Sequence, residues 1–164
     1  MPDPSGARDA GGTRASDSAV PRGAEQRILE LAGQLLGVEL RHLPRAAEAS
    51  RTLPDGARVD IDGYCPDPLI YAEVVARQGT SKSGQVHKAA QDVLKPVTIR
   101  RCLAPNARLY MVFADQAAVN ILHGRNWLAE AARVWKVETL VVDLDPPLKL
   151  ELQQAQRQRM TNPT

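Results

Sequence analysis

Two stretches in the middle of the chain place carboxylates where they could do chemistry. The first is Leu69-Ile70-Tyr71-Ala72-Glu73-Val74-Val75-Ala76, apolar throughout except for Glu73 and the Tyr71 hydroxyl. Such a run predicts a strand covered on both faces. A carboxylate in that setting loses hydration and must gain a partner. The second is Arg58-Val59-Asp60-Ile61-Asp62-Gly63, a strict alternation of polar and apolar residues. Asp60 and Asp62 share one face of a strand there, as Tyr71, Glu73 and Val75 do in the other. If the two strands pair, an aspartate comes near Glu73. Two carboxylates on neighbouring strands suit a hard divalent cation such as Mg²⁺ or Mn²⁺. A cation so held lowers the pKa of a bound water and stabilises charge on a phosphate, which is nuclease chemistry. The bland alternatives are a solvated aspartate at a sheet edge and a buried ion pair of Glu73 with Arg77 or Arg58.

The next segment, Gly79-Thr80-Ser81-Lys82-Ser83-Gly84, has the glycine spacing of a P-loop. Gln85 and Val86 stand where the phosphate-gripping Lys and Ser or Thr belong, which argues against nucleotide hydrolysis. A polar loop that opens a helix still attracts phosphate through free N–H groups. Arg77, Lys82, Gln85, Lys88 and Lys95 are the candidate contacts to a nucleic-acid backbone, DNA before RNA. Gln85, Lys88 and Asp92 fall on one helical stripe, from which Lys88 could reach the strands. Solvated surface charge is the competing reading for Lys88 and Lys95. One Phe, two Trp and three Tyr give little for a platform that stacks bases. Trp127 and Trp135, eight residues apart on one helix, read as core.

The elements that must position these groups follow from periodicity. A helix begins near Ala24, with Ile28, Leu31, Ala32, Leu35 and Leu36 in step, and Gly37 ends it. Strands are expected over 38–43, 58–62, 69–76, 107–114 and 137–144. Gly63 to Pro68 reads as the connection of a hairpin. Residues 45–52 are ambiguous between helix and loop. A helix follows Gly84, with Pro96 expected to kink it or end it early. Another runs from an N-cap at Asp115 to about Lys136. The order α-β-β-β-α-β-α-β predicts an α/β fold, a mixed sheet flanked by helices.

The chain has 164 residues, 43 % of them hydrophobic, with net charge +2. That suits one domain over 23–147, preceded by a disordered tail over 1–22 and followed by a polar helical extension over 148–164. The apolar runs are too short to cross a bilayer, so no membrane association is expected. Cys65 and Cys102 lack zinc or CxxC spacing and read as free thiols, and the chain reads as cytoplasmic.

Gly56 to Gly63 followed by Tyr71-Ala72-Glu73-Val74-Val75-Ala76-Arg77 resembles the core of the PD-(D/E)XK nuclease superfamily. The likeness is to its restriction-endonuclease-like and Holliday-junction-resolvase-like branch, over about Ala24 to Lys95. The resemblance implies a restriction-endonuclease-like sheet and a Mg²⁺-dependent phosphodiester hydrolase acting on nucleic acid. Asp62 matches the metal-binding Asp, with Asp60 the second candidate. Glu73 matches the acid of the second motif. Glu25 matches the helix glutamate, with Glu30 in competition. The family's lysine falls two residues after the acid, where this chain has Val75. Some members carry that amine on the following helix, which brings in Lys82 or Lys88. Otherwise the site is inactive, and the chain is a module that keeps the fold and binds nucleic acid or a protein partner.

Overall fold

A computed structural model describes residues 23–43, 50–80 and 84–161. The expected tail over 1–22, most of the ambiguous 45–52 segment, Lys82 and residues 162–164 lie outside the described residues. Helix α1 (Ala24–Leu36) buries Ile28, Leu29 and Ala32, and stops at Gly37, whose φ of 68° only glycine adopts freely. Strands β1 (Arg41–His42), β2 (Ser50–Thr52), β3 (Arg58–Asp60), β4 (Gly63–Pro66) and β5 (Leu69–Val75) follow. Helix α2 (Gln85–Cys102) leads to β6 (Arg108–Phe113), then α3 (Asn120–His123), α4 (Trp127–Val134), β7 (Val137–Val141) and α5 (Pro146–Thr161).

The main sheet has strand order β1-β4-β5-β6-β7; β2 and β3 form a separate two-stranded ribbon. Strands β1, β4 and β5 run antiparallel, whereas β5, β6 and β7 run parallel. The fold is therefore α/β with a mixed sheet, in three layers. One face of the sheet carries Tyr71, Leu109, Met111 and Phe113, packed with Val93 and Val97 of α2 and Leu128 and Ala132 of α4. The other carries Ile70, Ala72, Tyr110 and Val112, packed with α1 and with Leu152 of α5.

Four details depart from expectation. Strand β5 is paired not by the 58–62 segment but by β4, which was expected to be a connection. Pro66 ends it at the Asp67-Pro68 turn; Gly63 and Cys65 face the α1 side, Tyr64 packs against Tyr71 on the α2 side, and Pro66 is exposed. A Cβ at Gly63 would stand 2.6 Å from Leu29 Cδ2, so a larger residue there would force that buried leucine to shift. The strand expected over 38–43 shortens to two residues. Helix α2 does not end at the buried Pro96 but continues to Cys102: a proline deletes one backbone bond, and Val93, Val97 and Ile99 hold both halves on the sheet. The long helix expected after Asp115 is two helices. Gly124 is extended, and the Asn126 side chain restarts the helix by accepting from Ala129 N at 2.9 Å. That restart turns Leu128, Ala129 and Ala132 inward, so Trp127 and Trp135 are exposed rather than core.

Candidate functional site

Glu73 lies in the middle of β5, between β4 and β6, with its side chain toward α2. It is 2 % exposed. Its Oε2 accepts from Lys95 Nζ at 3.0 Å, while Oε1 is buried with no hydrogen-bond partner among the described residues. Lys95 comes from α2 and also stands 3.5 Å from Asp92 Oδ1. Asp92 in turn accepts from Lys88 Nζ at 3.1 and 3.2 Å. Lys88, Asp92 and Lys95 are spaced i, i+4 and i+7, so one helix face delivers all three.

Asp62 follows β3 at the bend into β4, and its Oδ2 accepts from Val74 N at 2.9 Å. This bond seats the aspartate against the backbone next to Glu73. Asp60 pairs with Ser50 in the small ribbon and is exposed. The structure thus separates two aspartates that the sequence left in competition.

The electrostatics follow from three carboxylates crowding one half-buried ammonium. Burial, then the neighbouring Asp62 carboxylate, push the Glu73 carboxyl well above its usual range; Lys95 opposes them, and Asp92 adds to the rise. Burial works against the charge on Lys95, but Glu73, Asp92 and Asp62 outweigh it and push its ammonium up to about 12. These directions are compatible, because Asp92 and Asp62 keep Lys95 charged even when Glu73 holds a proton.

Of the other candidates, Glu25 sits on α1, against the opposite face, and its Oε2 lies 3.5 Å from His42 Nε2. Glu30 faces Arg27 at 3.2 Å on the exposed side of the same helix. Lys88 reaches Asp92 rather than Glu73. Gln85 opens α2. Arg77 lies two residues beyond β5, and its buried Nε has no hydrogen-bond partner among the described residues; burial lowers its pKa. Lys82 lies outside the described residues. Val75, two residues after Glu73, packs on the α2-side core. The amine beside Glu73 is thus Lys95, which the sequence alone offers as a phosphate contact or a solvated surface charge. The signal was available: the stripe Gln85, Lys88, Asp92 continues to Lys95 at the next helical step.

Mg²⁺ is commonly held by one or two carboxylates with waters and phosphate oxygens completing its shell. Among the described residues no three His, Cys, Asp or Glu side chains are grouped to hold a metal ion. The orphaned Glu73 Oε1 and the adjacent Asp62 carboxylate fit the sparser, two-carboxylate arrangement. A cation there would also relieve the Asp62 repulsion that adds to the effect of burial on Glu73.

Neither the known protein-family models nor the curated proteins include a match to this chain. The chain is similar to the solved structure of an XisH family protein from Nostoc punctiforme, at 14 % identity and a TM-score of 0.50. The match covers 79 % of this chain and 94 % of that one. A likeness at that identity shows the α/β fold alone. No helix among the described residues is long and apolar enough to cross a membrane.

Proposed function

We propose that this chain is a metal-dependent nuclease of the PD-(D/E)XK type, in which Lys95 on α2 replaces the amine that Val75 cannot supply. The observation that carries this reading is the Lys95–Glu73 pair at 3.0 Å beside Asp62, with one Glu73 oxygen left unpartnered. A buried carboxylate with an orphaned oxygen costs free energy that a purely structural role would avoid. A divalent cation between Asp62 and Glu73 would supply Lewis acidity toward a phosphodiester.

The chain's own groups have distinct tasks. Val74 N–H fixes the Asp62 carboxylate. Lys95, charged at neutral pH and partly exposed, offsets negative charge at the substrate. Asp92 orients Lys95, and Lys88 restrains Asp92. Arg77, Gln85 and Lys88, with Lys82, lie before or on the first half of α2 and serve the nucleic-acid backbone. DNA as the substrate and the cytoplasm as the compartment belong to this same reading.

A specific observation favours a second reading. Lys95 engages Glu73 in a closed ion pair, and Val74 N–H occupies one Asp62 oxygen, so the cluster could serve as a self-neutralised remnant in a non-catalytic binding module. Lys95→Met separates the two. A nuclease loses turnover with nucleic-acid affinity nearly intact. A binding module that uses Lys95 only for phosphate shows weaker binding and a shallower salt dependence, with no turnover to lose. Val75→Lys is the complementary variant: cleavage appearing only there marks the natural site as inactive.

A further inference from the structure

Both tryptophans of the chain lie on one face of α4 or at its end, and that face has no partner among the described residues. Trp127 is 65 % exposed, Val134 66 % and Trp135 43 %, with the half-buried Ala131 between them. Their spacing of i, i+4, i+7 and i+8 makes a continuous apolar stripe. The helix itself is firmly anchored on its opposite side by Leu128, Ala129 and Ala132 and capped by Asn126, so the stripe is held rigid. Exposed aromatic surface of this kind marks an interaction site more often than solvent-facing decoration.

Charge decides the occupant. Arg125 precedes the stripe and Lys136 ends it, both exposed. Arg100 reaches over from α2 to donate to the Trp135 carbonyl. None of the three has a carboxylate partner among the described residues, whereas Glu130 and Arg133 neutralise each other on the flank. A two-fold contact between copies would set Arg125 of one copy beside Lys136 of the other if the two α4 helices ran antiparallel, and each cation beside its own counterpart if they ran parallel. Like charges there oppose self-association. We infer that the α4 stripe docks an acidic amphipathic helix of a partner protein, with apolar side chains on Trp127, Val134 and Trp135 and carboxylates on Arg125, Lys136 and Arg100.

The test uses the full chain, its own tryptophan emission, and two synthetic peptides. Both peptides carry leucines at the i, i+3, i+4, i+7 repeat; one has glutamates on its polar face and its twin has lysines. The expected result is a saturable blue shift with the glutamate peptide and none with the twin. Val134→Asp should weaken that binding by about tenfold or more with thermal unfolding unchanged, since the site is solvent-facing. Arg125→Glu with Lys136→Glu should reverse the preference between peptides. No saturable shift with the glutamate peptide, or equal shifts with both, would overturn the proposal. So would a concentration-dependent dimer of the protein alone that Val134→Asp abolishes, which would assign the stripe to a second copy.

Discussion

The two faces of β5 follow different rules although they alternate along seven residues. Ile70, Ala72 and Val74 meet α1 and the α5 side, where the core is apolar and each contact has the same worth at any pH. Tyr71, Glu73 and Val75 meet α2, where a carboxylate interrupts the core and requires Lys95, and through it Asp92 and Lys88. One face is held by packing, whose cost of disruption is set by volume. The other is held by charge balance, whose cost is set by protonation. The lesson is that the proposed site belongs to the face that stability alone would have filled with valine.

The largest stability effect should come from the apolar face. Ile70→Ala removes a fully buried side chain and should cost roughly 2–5 kcal/mol in denaturant unfolding. That loss should be flat with pH. A loss that varies with pH would mean that the two faces are coupled through the backbone of β5.

On the charged face, Lys95→Met should cost on the order of 2 kcal/mol near neutral pH. This is less than the full value for breaking a buried pair, because Lys95 is 36 % exposed and Glu73 can take up a proton. The sign follows from Glu73: protonated and uncharged at low pH, it scarcely misses Lys95. The loss should therefore grow as pH rises through the folded-state pKa of Glu73, and urea titrations across that range would show it.

Glu73→Gln sharpens the same point. A carboxyl whose folded pKa is raised binds more protons folded than unfolded, so wild-type stability should fall as pH rises from its ordinary value through the folded one. The glutamine variant should lack that slope and gain most, relative to wild type, at the upper end. Parallel curves would place Glu73 in a more solvated setting. The smallest effect is expected away from both faces: Gln156 on α5 exchanges hydrogen bonds of 3.1 and 3.0 Å with the Gln78 backbone. Gln156→Ala should cost about 1 kcal/mol and raise amide exchange first in α5.

Much of the parallel half of the sheet was legible in the sequence. Residues 69–76, 107–114 and 137–144 are dense in β-branched and apolar residues, and they contain β5, β6 and β7 within a few residues. The start and end of α1 were legible for the same kind of reason, a helical repeat closed by Gly37. Strand β4 was obscured because glycine and proline carry turn signals, while Gly63 is there to accept Leu29. The break before α4 was written in Gly124 and Asn126 but masked by the apolar periodicity on either side. In the site, Glu73 stood out because burial makes a lone carboxylate conspicuous. Lys95 did not, since a lysine on a helix is ordinary until tertiary structure supplies its partner 22 residues earlier.

Phosphodiester cleavage with Mg²⁺ or Mn²⁺ tests the central claim most directly. Supercoiled, linear, branched and single-stranded substrates would be incubated with wild type, Asp62→Asn and Glu73→Gln, with EDTA as the control. The account predicts metal-dependent cleavage of at least one substrate by wild type, and its loss in both variants while their folding is retained. Cleavage that survives in either variant, or no cleavage by folded wild type with either metal on any substrate, would contradict it.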